Sequence, residues 1–79
     1  NIKEELFLRQ KNKCNKCHKK FDFQVLDHII PLRLGGTDKI NNLQLLCIKC
    51  DSIKTRQDLK NIWRYRNNLK LHLEKHDNK

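Results

Sequence analysis

Four cysteines, Cys14, Cys17, Cys47 and Cys50, are all that the chain contains, and they fall as two C-x2-C pairs. Two thiolates three residues apart on a tight turn can reach one metal ion, and two such pairs complete a closed tetrahedral site with no position left for substrate. The chemistry expected of the cysteines is therefore structural Zn2+ binding. Two disulfides or a redox dithiol are the alternatives. Lys13, Lys16 and Lys49 beside the sulfurs favour thiolates, and a redox C-x-x-C normally stands alone rather than in duplicate. Both considerations favour a reducing, intracellular setting. Between the pairs lie Asp27-His28 and then Asn42, and Asp51 follows the second pair directly. A carboxylate beside an imidazole is the minimal set for metal-assisted hydrolysis: one holds a hard cation, and the other takes a proton from water near neutral pH. A surface pair without that role is the plainer reading of the dipeptide alone.

The segments that must position these groups are short. Ile2 to Lys11 has apolar residues at 2, 6 and 7, which fits an amphipathic helix leading into the first cysteine pair. Phe21 to Ile30 is rich in apolar and β-branched residues and predicts a strand ended by Pro31. Gly35-Gly36 and the turn-formers around them predict a loop, and Leu43 to Ile48 a second strand. Asp51 and Ser52 are N-cap candidates for a helix through Lys54 and Arg56. From Asp58 to His76, Leu59, Ile62, Trp63, Leu69 and Leu73 recur at helical spacing among Lys60, Arg64, Arg66 and Lys70. This predicts a helix with one packed and one basic face, Trp63 on the packed side. His72 and His76 are four apart, but no Glu follows His72, so they are expected in solvent rather than on a metal. His18 is expected outside a site that four cysteines already fill.

Composition narrows the class. With 79 residues, 37% hydrophobic and 34% charged, the chain holds one small domain whose apolar core alone would be marginal. A four-thiolate zinc site would supply on the order of 10 kcal/mol of folding free energy. No apolar run approaches membrane length, and no leader pattern opens the chain. A start at Asn1 and the lack of Met suggest a trimmed or excised piece, with a larger parent chain as one source. The net charge of +9 favours a polyanionic partner. Residues 1 to 20 carry +5, residues 21 to 50 are neutral, and residues 51 to 79 carry +4, so two basic flanks bracket a neutral centre.

The string Asp27-His28-Ile29-Ile30-Pro31-Leu32, the Gly35-Gly36 loop, Asn42-Leu43-Gln44, then Leu46-Cys47 and Cys50, with Lys54 beyond, resembles the HNH endonuclease motif of the ββα-metal superfamily. The resemblance covers about residues 14 to 56. It implies an α+β fold, a small ββα-metal domain of two short antiparallel strands plus a helix, with paired cysteine zinc knuckles and flanking helices. It further implies that His28 and Asn42 are the catalytic residues, His28 as general base and Asn42 as the group that holds the connecting loop through backbone hydrogen bonds. Asp27 is implied as a ligand of the catalytic cation. The third motif position falls on Asp51, where the commonest pattern has His; Asn is also found there, and an oxygen ligand is chemically reasonable. Two carboxylates suit Mg2+ or Mn2+ over softer metals, and Asp51→His is expected to shift the preference toward Ni2+, Co2+ or Zn2+. A helix N-cap is the other role open to Asp51.

The reading as a whole is a single domain over residues 1–79, with its core motif at about 14–56 and basic helical flanks at 1–13 and 57–79. The expected function is metal-dependent hydrolysis of DNA phosphodiesters, by nicking or double-strand cutting, leaving 5′-phosphate and 3′-hydroxyl ends. The partner is the DNA phosphate backbone rather than a membrane, and Lys54 and Arg56 are the candidates for contacts near the scissile phosphate. HNH domains of this size occur in phages and mobile elements. A non-catalytic zinc-ribbon module that only binds nucleic acid, or a silenced HNH domain, is the alternative.

Overall fold

A computed structural model describes the backbone of residues 1–77 and the side chains of residues 1–68. The order of elements is α1 (Ile2–Arg9), β1 (Val25–His28), β2 (Leu43–Leu46) and α2 (Ile48–Asp77), with 3-10 turns at Leu32–Leu34 and Ile40–Asn42. This is an α+β arrangement of two antiparallel strands and two helices, with the four cysteines gathered between them.

Helix α1 begins where the Asn1 side chain accepts a hydrogen bond from the Glu4 N–H at 2.9 Å, and Glu4, Glu5 and Arg9 place their charges favourably along the helix dipole. It stops at Gln10, because Lys11 and Asn12 turn left-handed at φ 55° and 59°. The Gln10 side chain then behaves as an extra strand residue. Its Oε1 accepts from Leu45 N–H and its Nε2 donates to Leu45 O, both at 2.9 Å, which fastens α1 to β2.

The strands pair Val25 with Leu46, Leu26 with Leu45, Asp27 with Gln44 and His28 with Leu43. All four residues of β2 are buried. Leu43 and Leu45 join Leu6 in the core, with Phe7, Phe21 and Ile40 packed around them, while Gln44 and Leu46 alternate to the other face. The first strand is shorter than its apolar run predicts. Phe21 packs at the core edge outside the strand, and Phe23 is exposed. At the other end Ile30 leaves the ladder because its N–H and C=O are taken by the Asn42 side chain instead of a neighbouring strand. The second strand ends at Leu46 rather than Ile48, since Ile48 already belongs to α2.

Helix α2 corrects three expectations. It starts before Asp51, whose N–H donates to Cys47 O at 2.9 Å, so Asp51 stands in the first turn and is not the N-cap. Ser52 donates to Ile48 O within the helix and does not cap it either. The segment through Arg56 and the segment from Asp58 onward are one continuous helix of 30 residues. It outruns the small core: Leu59 and Trp63 are exposed, so Trp63 does not pack inside the chain. Leu69, Leu73, His72 and His76 lie outside the residues whose side chains are described. Among the described residues no helix is long and apolar enough to cross a membrane.

Candidate functional site

The first cysteine pair sits on the turn between α1 and β1, and the second spans the entry to α2. Cys14 N–H donates to Lys19 O and His18 N–H to Cys14 O, both at 2.9 Å, closing the turn, and His18 accommodates it at φ 61°. Cys47 precedes α2 and Cys50 lies in its first turn. The N–H groups of Lys16 and Cys50 approach the sulfurs of Cys14 and Cys47 at 3.5 Å, as donors that stabilise thiolate. All four sulfurs lie within 4.8 Å of one another, and Cys17 and Cys47 are 3.9 Å apart, unbridged. Sulfurs at the corners of a tetrahedron with metal–sulfur bonds of about 2.3 Å would be about 3.8 Å apart. The four cysteines are thus positioned to form a metal site.

Their electrostatics agree. Burial would raise the Cys14 thiol, but backbone N–H groups at Cys17, Cys47 and Lys16 outweigh it and bring the group down to about 6. The hydrogen bond to Cys47, followed by burial and the other nearby sulfurs, pushes Cys50 up to about 12. One thiolate forms easily and a further negative charge is resisted, which is the behaviour of a site that needs a cation to lose all its protons.

The second constellation gathers at the end of β1. Asp27, nearly buried, accepts at Oδ2 from Gln44 Nε2 and forms an ion pair there with Lys54 Nζ, each at 2.9 Å. Among the described residues its Oδ1 has no protein partner. Next to it, His28 Nε2 is 2.7 Å from Asp38 Oδ1. With that nitrogen carrying the proton toward the carboxylate, Nδ1 retains its lone pair. Asn42 clamps the loop that follows: its Oδ1 accepts from Ile30 N–H at 2.9 Å, and its Nδ2 donates to Ile30 O at 3.0 Å and to Thr37 O at 2.8 Å. Its own C=O accepts from Ile29 N–H at 2.8 Å. Gly36 fits under this clamp because a Cβ there would collide with Ile30 O and the Asn42 amide.

Lys54 is placed differently from its expectation as an exposed phosphate contact. It is 8% exposed, and Nζ donates to Asp58 Oδ2 at 2.6 Å and His28 O at 2.7 Å besides its ion pair with Asp27, so its charge is engaged inside the protein. Burial disfavours its charge, but the bonds to Asp58 and Asp27 prevail and raise the pKa of the ammonium. Arg56, two residues on, is exposed. Asp51 is half-buried on the first turn of α2, and its carboxylate has no hydrogen bond among the described residues. Asp27, His28 and Asp51 are not drawn together as the cysteines are: among the described residues only the cysteines form a group of three or more ligands within 4.8 Å.

The motif reading assigns no role to Gln44, Asp58 or Asp38 and gives Lys54 an outward one. A Gln flanked by leucines in a buried strand was the visible hint for Gln44, since a buried amide needs partners. The i,i+4 spacing of Lys54 and Asp58 was the hint for that pair. Nothing local pointed to Asp38, which reaches His28 across the loop.

The HNH endonuclease family model matches residues 14–57, more than half of the chain, and takes in both cysteine pairs, Asp27-His28, Asn42 and Asp51. No curated protein and no solved structure matches at a significant level. On the family match, with the four cysteines gathered as one metal site, the chain belongs to the HNH endonuclease family.

Proposed function

We propose that this chain is a metal-dependent DNA endonuclease, with Zn2+ held by Cys14, Cys17, Cys47 and Cys50 and a catalytic Mg2+ or Mn2+ held by Asp27 and Asp51. The observation that carries the reading is the half-engaged state of the Asp27-His28 pair. Each side chain has one atom fixed by the protein, Oδ2 and Nε2, and one free, Oδ1 and Nδ1. Both free atoms reach solvent, where a cation and a water molecule have access to them. The oxygen donors Asp27 and Asp51 fit a hard divalent cation. Bound there, such a cation would stabilise the charge that develops on the phosphorane and on the departing 3′ oxygen.

His28 takes the proton of the attacking water at Nδ1, while Asp38 holds the opposite nitrogen and steadies the imidazolium that results. Asn42 keeps the loop after His28 in register, so that the ring is presented to the phosphate rather than turned away. Arg56 and the basic flanks neutralise DNA phosphates, and the products carry 5′-phosphate and 3′-hydroxyl ends. Lys54 is not needed as a phosphate contact in this scheme; it holds Asp27.

A second reading, a zinc module that binds nucleic acid without cutting it, is favoured by one observation: the cysteines are the only tightly gathered ligands among the described residues. Cleavage of supercoiled plasmid by zinc-loaded protein with added Mg2+ or Mn2+ separates the two. The nuclease reading expects cutting by the wild type, and loss of cutting but retention of binding in His28→Ala. If the wild type only retards the plasmid, with steep salt dependence, the second reading stands.

A further inference from the structure

The carboxylate of Asp27 ends a line of side-chain hydrogen bonds that begins inside the first cysteine turn. Asn15, between Cys14 and Cys17, is pinned to β2 by its N–H, which donates to Leu45 O at 3.1 Å. Its Nδ2 donates to Gln44 Oε1 at 2.7 Å. Gln44 stands directly opposite Asp27 in the strand ladder, is 3% exposed, and donates Nε2 to Asp27 Oδ2 at 2.9 Å. From the other side Lys54 reaches the same oxygen.

The polarity of this line is set by its end. An ionised carboxylate only accepts, so Gln44 must turn its NH2 toward Asp27 and its oxygen toward Asn15, which must in turn present its own NH2. Both groups converge on Oδ2, and no donor among the described residues meets Oδ1. A buried amide in β2 costs stability that a leucine there would not, unless its bonds are made.

We propose that Asn15 and Gln44 are positioning residues for the catalytic cation: together with Lys54 they fix the Asp27 carboxylate so that Oδ1 alone faces the ion. The turn that carries two of the cysteines thereby sets the aim of a ligand that belongs to the other metal site. This inference rests on the reading of Asp27 as a ligand. It assigns a metal-tuning role to Asn15, an exposed residue that contributes nothing to the core.

The test is Mn2+ binding to the zinc-loaded chain, followed by the spin resonance of free Mn2+, for wild type, Asp27→Ala, Gln44→Met, Asn15→Ala and the Gln44→Met/Asn15→Ala double variant. Gln44→Met keeps the volume and removes both bonds, and should weaken Mn2+ about tenfold, the scale of an outer-shell partner. Asn15→Ala should weaken it about threefold, with zinc content unchanged and a melting temperature lowered only by the lost bond to Gln44 Oε1. Because Asn15 acts only through Gln44, the double variant should bind as Gln44→Met does. In cleavage assays Asn15→Ala should raise the Mn2+ concentration needed for half-maximal rate and leave the rate at saturating Mn2+ unchanged; a merely structural role would lower the saturating rate instead. If Asp27→Ala abolishes Mn2+ binding while Asn15→Ala and Gln44→Met bind as wild type, the inference is overturned and the nuclease reading survives. If Asp27→Ala binds Mn2+ as wild type does, Asp27 is no ligand, and both fall.

Discussion

The Lys54 ammonium serves three oxygens at once: it donates to Asp58 and to the His28 backbone and forms an ion pair with Asp27. Its side chain and that of Asp27 are about nine-tenths buried, so removing the cation leaves two carboxylates facing each other with little water between them. Lys54→Met should therefore destabilise the zinc-loaded protein by about 3 kcal/mol in urea denaturation, the scale for breaking one side of a buried pair. Lys54→Arg should not restore the loss, because a planar fork cannot reproduce three divergent contacts. If Lys54→Met is as stable as wild type, the network is not what holds β1 to α2. The pH dependence has a definite sign. Since the Lys54 pKa is raised on folding, its contribution is complete below the ordinary value of 10.5 and is lost only as pH rises through the folded value. Neutral and mildly acidic conditions leave it intact.

At the scale of elements, the motif spacing was enough to read the two strands, the loop between them and the helix after the second cysteine pair, because hydrophobic period and turn residues act locally. Their limits were not legible. Ile29 and Ile30 are apolar and β-branched and read as strand, yet a side chain 12 residues away, Asn42, takes the Ile30 backbone, and no local preference carries that information. Asp51 reads as a cap, but the turn closed by Cys47 starts the helix earlier. Lys54 reads as a surface cation because only the fold brings Asp27 to it. The loop also separates two adjacent glycines. Gly36 lies where a Cβ would strike Ile30 O and the Asn42 amide, whereas Gly35 has open space and only its left-handed φ of 90° to maintain. Gly35→Ala should cost about 1 kcal/mol of backbone strain. Gly36→Ala must displace the clamp itself, so it should cost roughly 2–3 kcal/mol and lower plasmid cleavage as well, through the lost hydrogen bonds of a buried amide. Equal melting temperatures for the two variants would refute the clamp.

At the scale of the molecule, the fully buried side chains among the described residues are few: Leu45, Leu46 and Cys14, with Leu6 and Leu43 close behind. Cys14 counts among them while also offering a metal ligand, so the core and the cysteine site are physically one unit. Asn15 and Gln10 both bond to Leu45, tying the cysteine turn and α1 to the same strand residue. Without a cation, the crowded sulfurs resist full ionisation: Cys50 is pushed up to about 12 while Cys14, brought down to about 6, already carries charge at neutral pH. A Zn2+ ion would relieve that conflict and contribute on the order of 10 kcal/mol to a core too small to stand alone. Chelation should therefore abolish the cooperative thermal transition, followed by circular dichroism, and restoring Zn2+ should recover it. Acid should do the same. The folded-state pKa of Cys14 lies below its ordinary value of 9.0, so in the metal-free chain its stabilising contribution is present above that value and lost as pH falls through about 6; bound Zn2+ holds the thiolates more firmly, and protons displace it at lower pH. Zinc release and loss of structure should thus coincide on acidification, measured together by a zinc-sensitive dye and ellipticity. A chelated protein that still melts cooperatively at the same temperature would mean that Leu6, Leu43, Leu45 and Leu46 suffice as a core, and that the four cysteines do not hold the fold together.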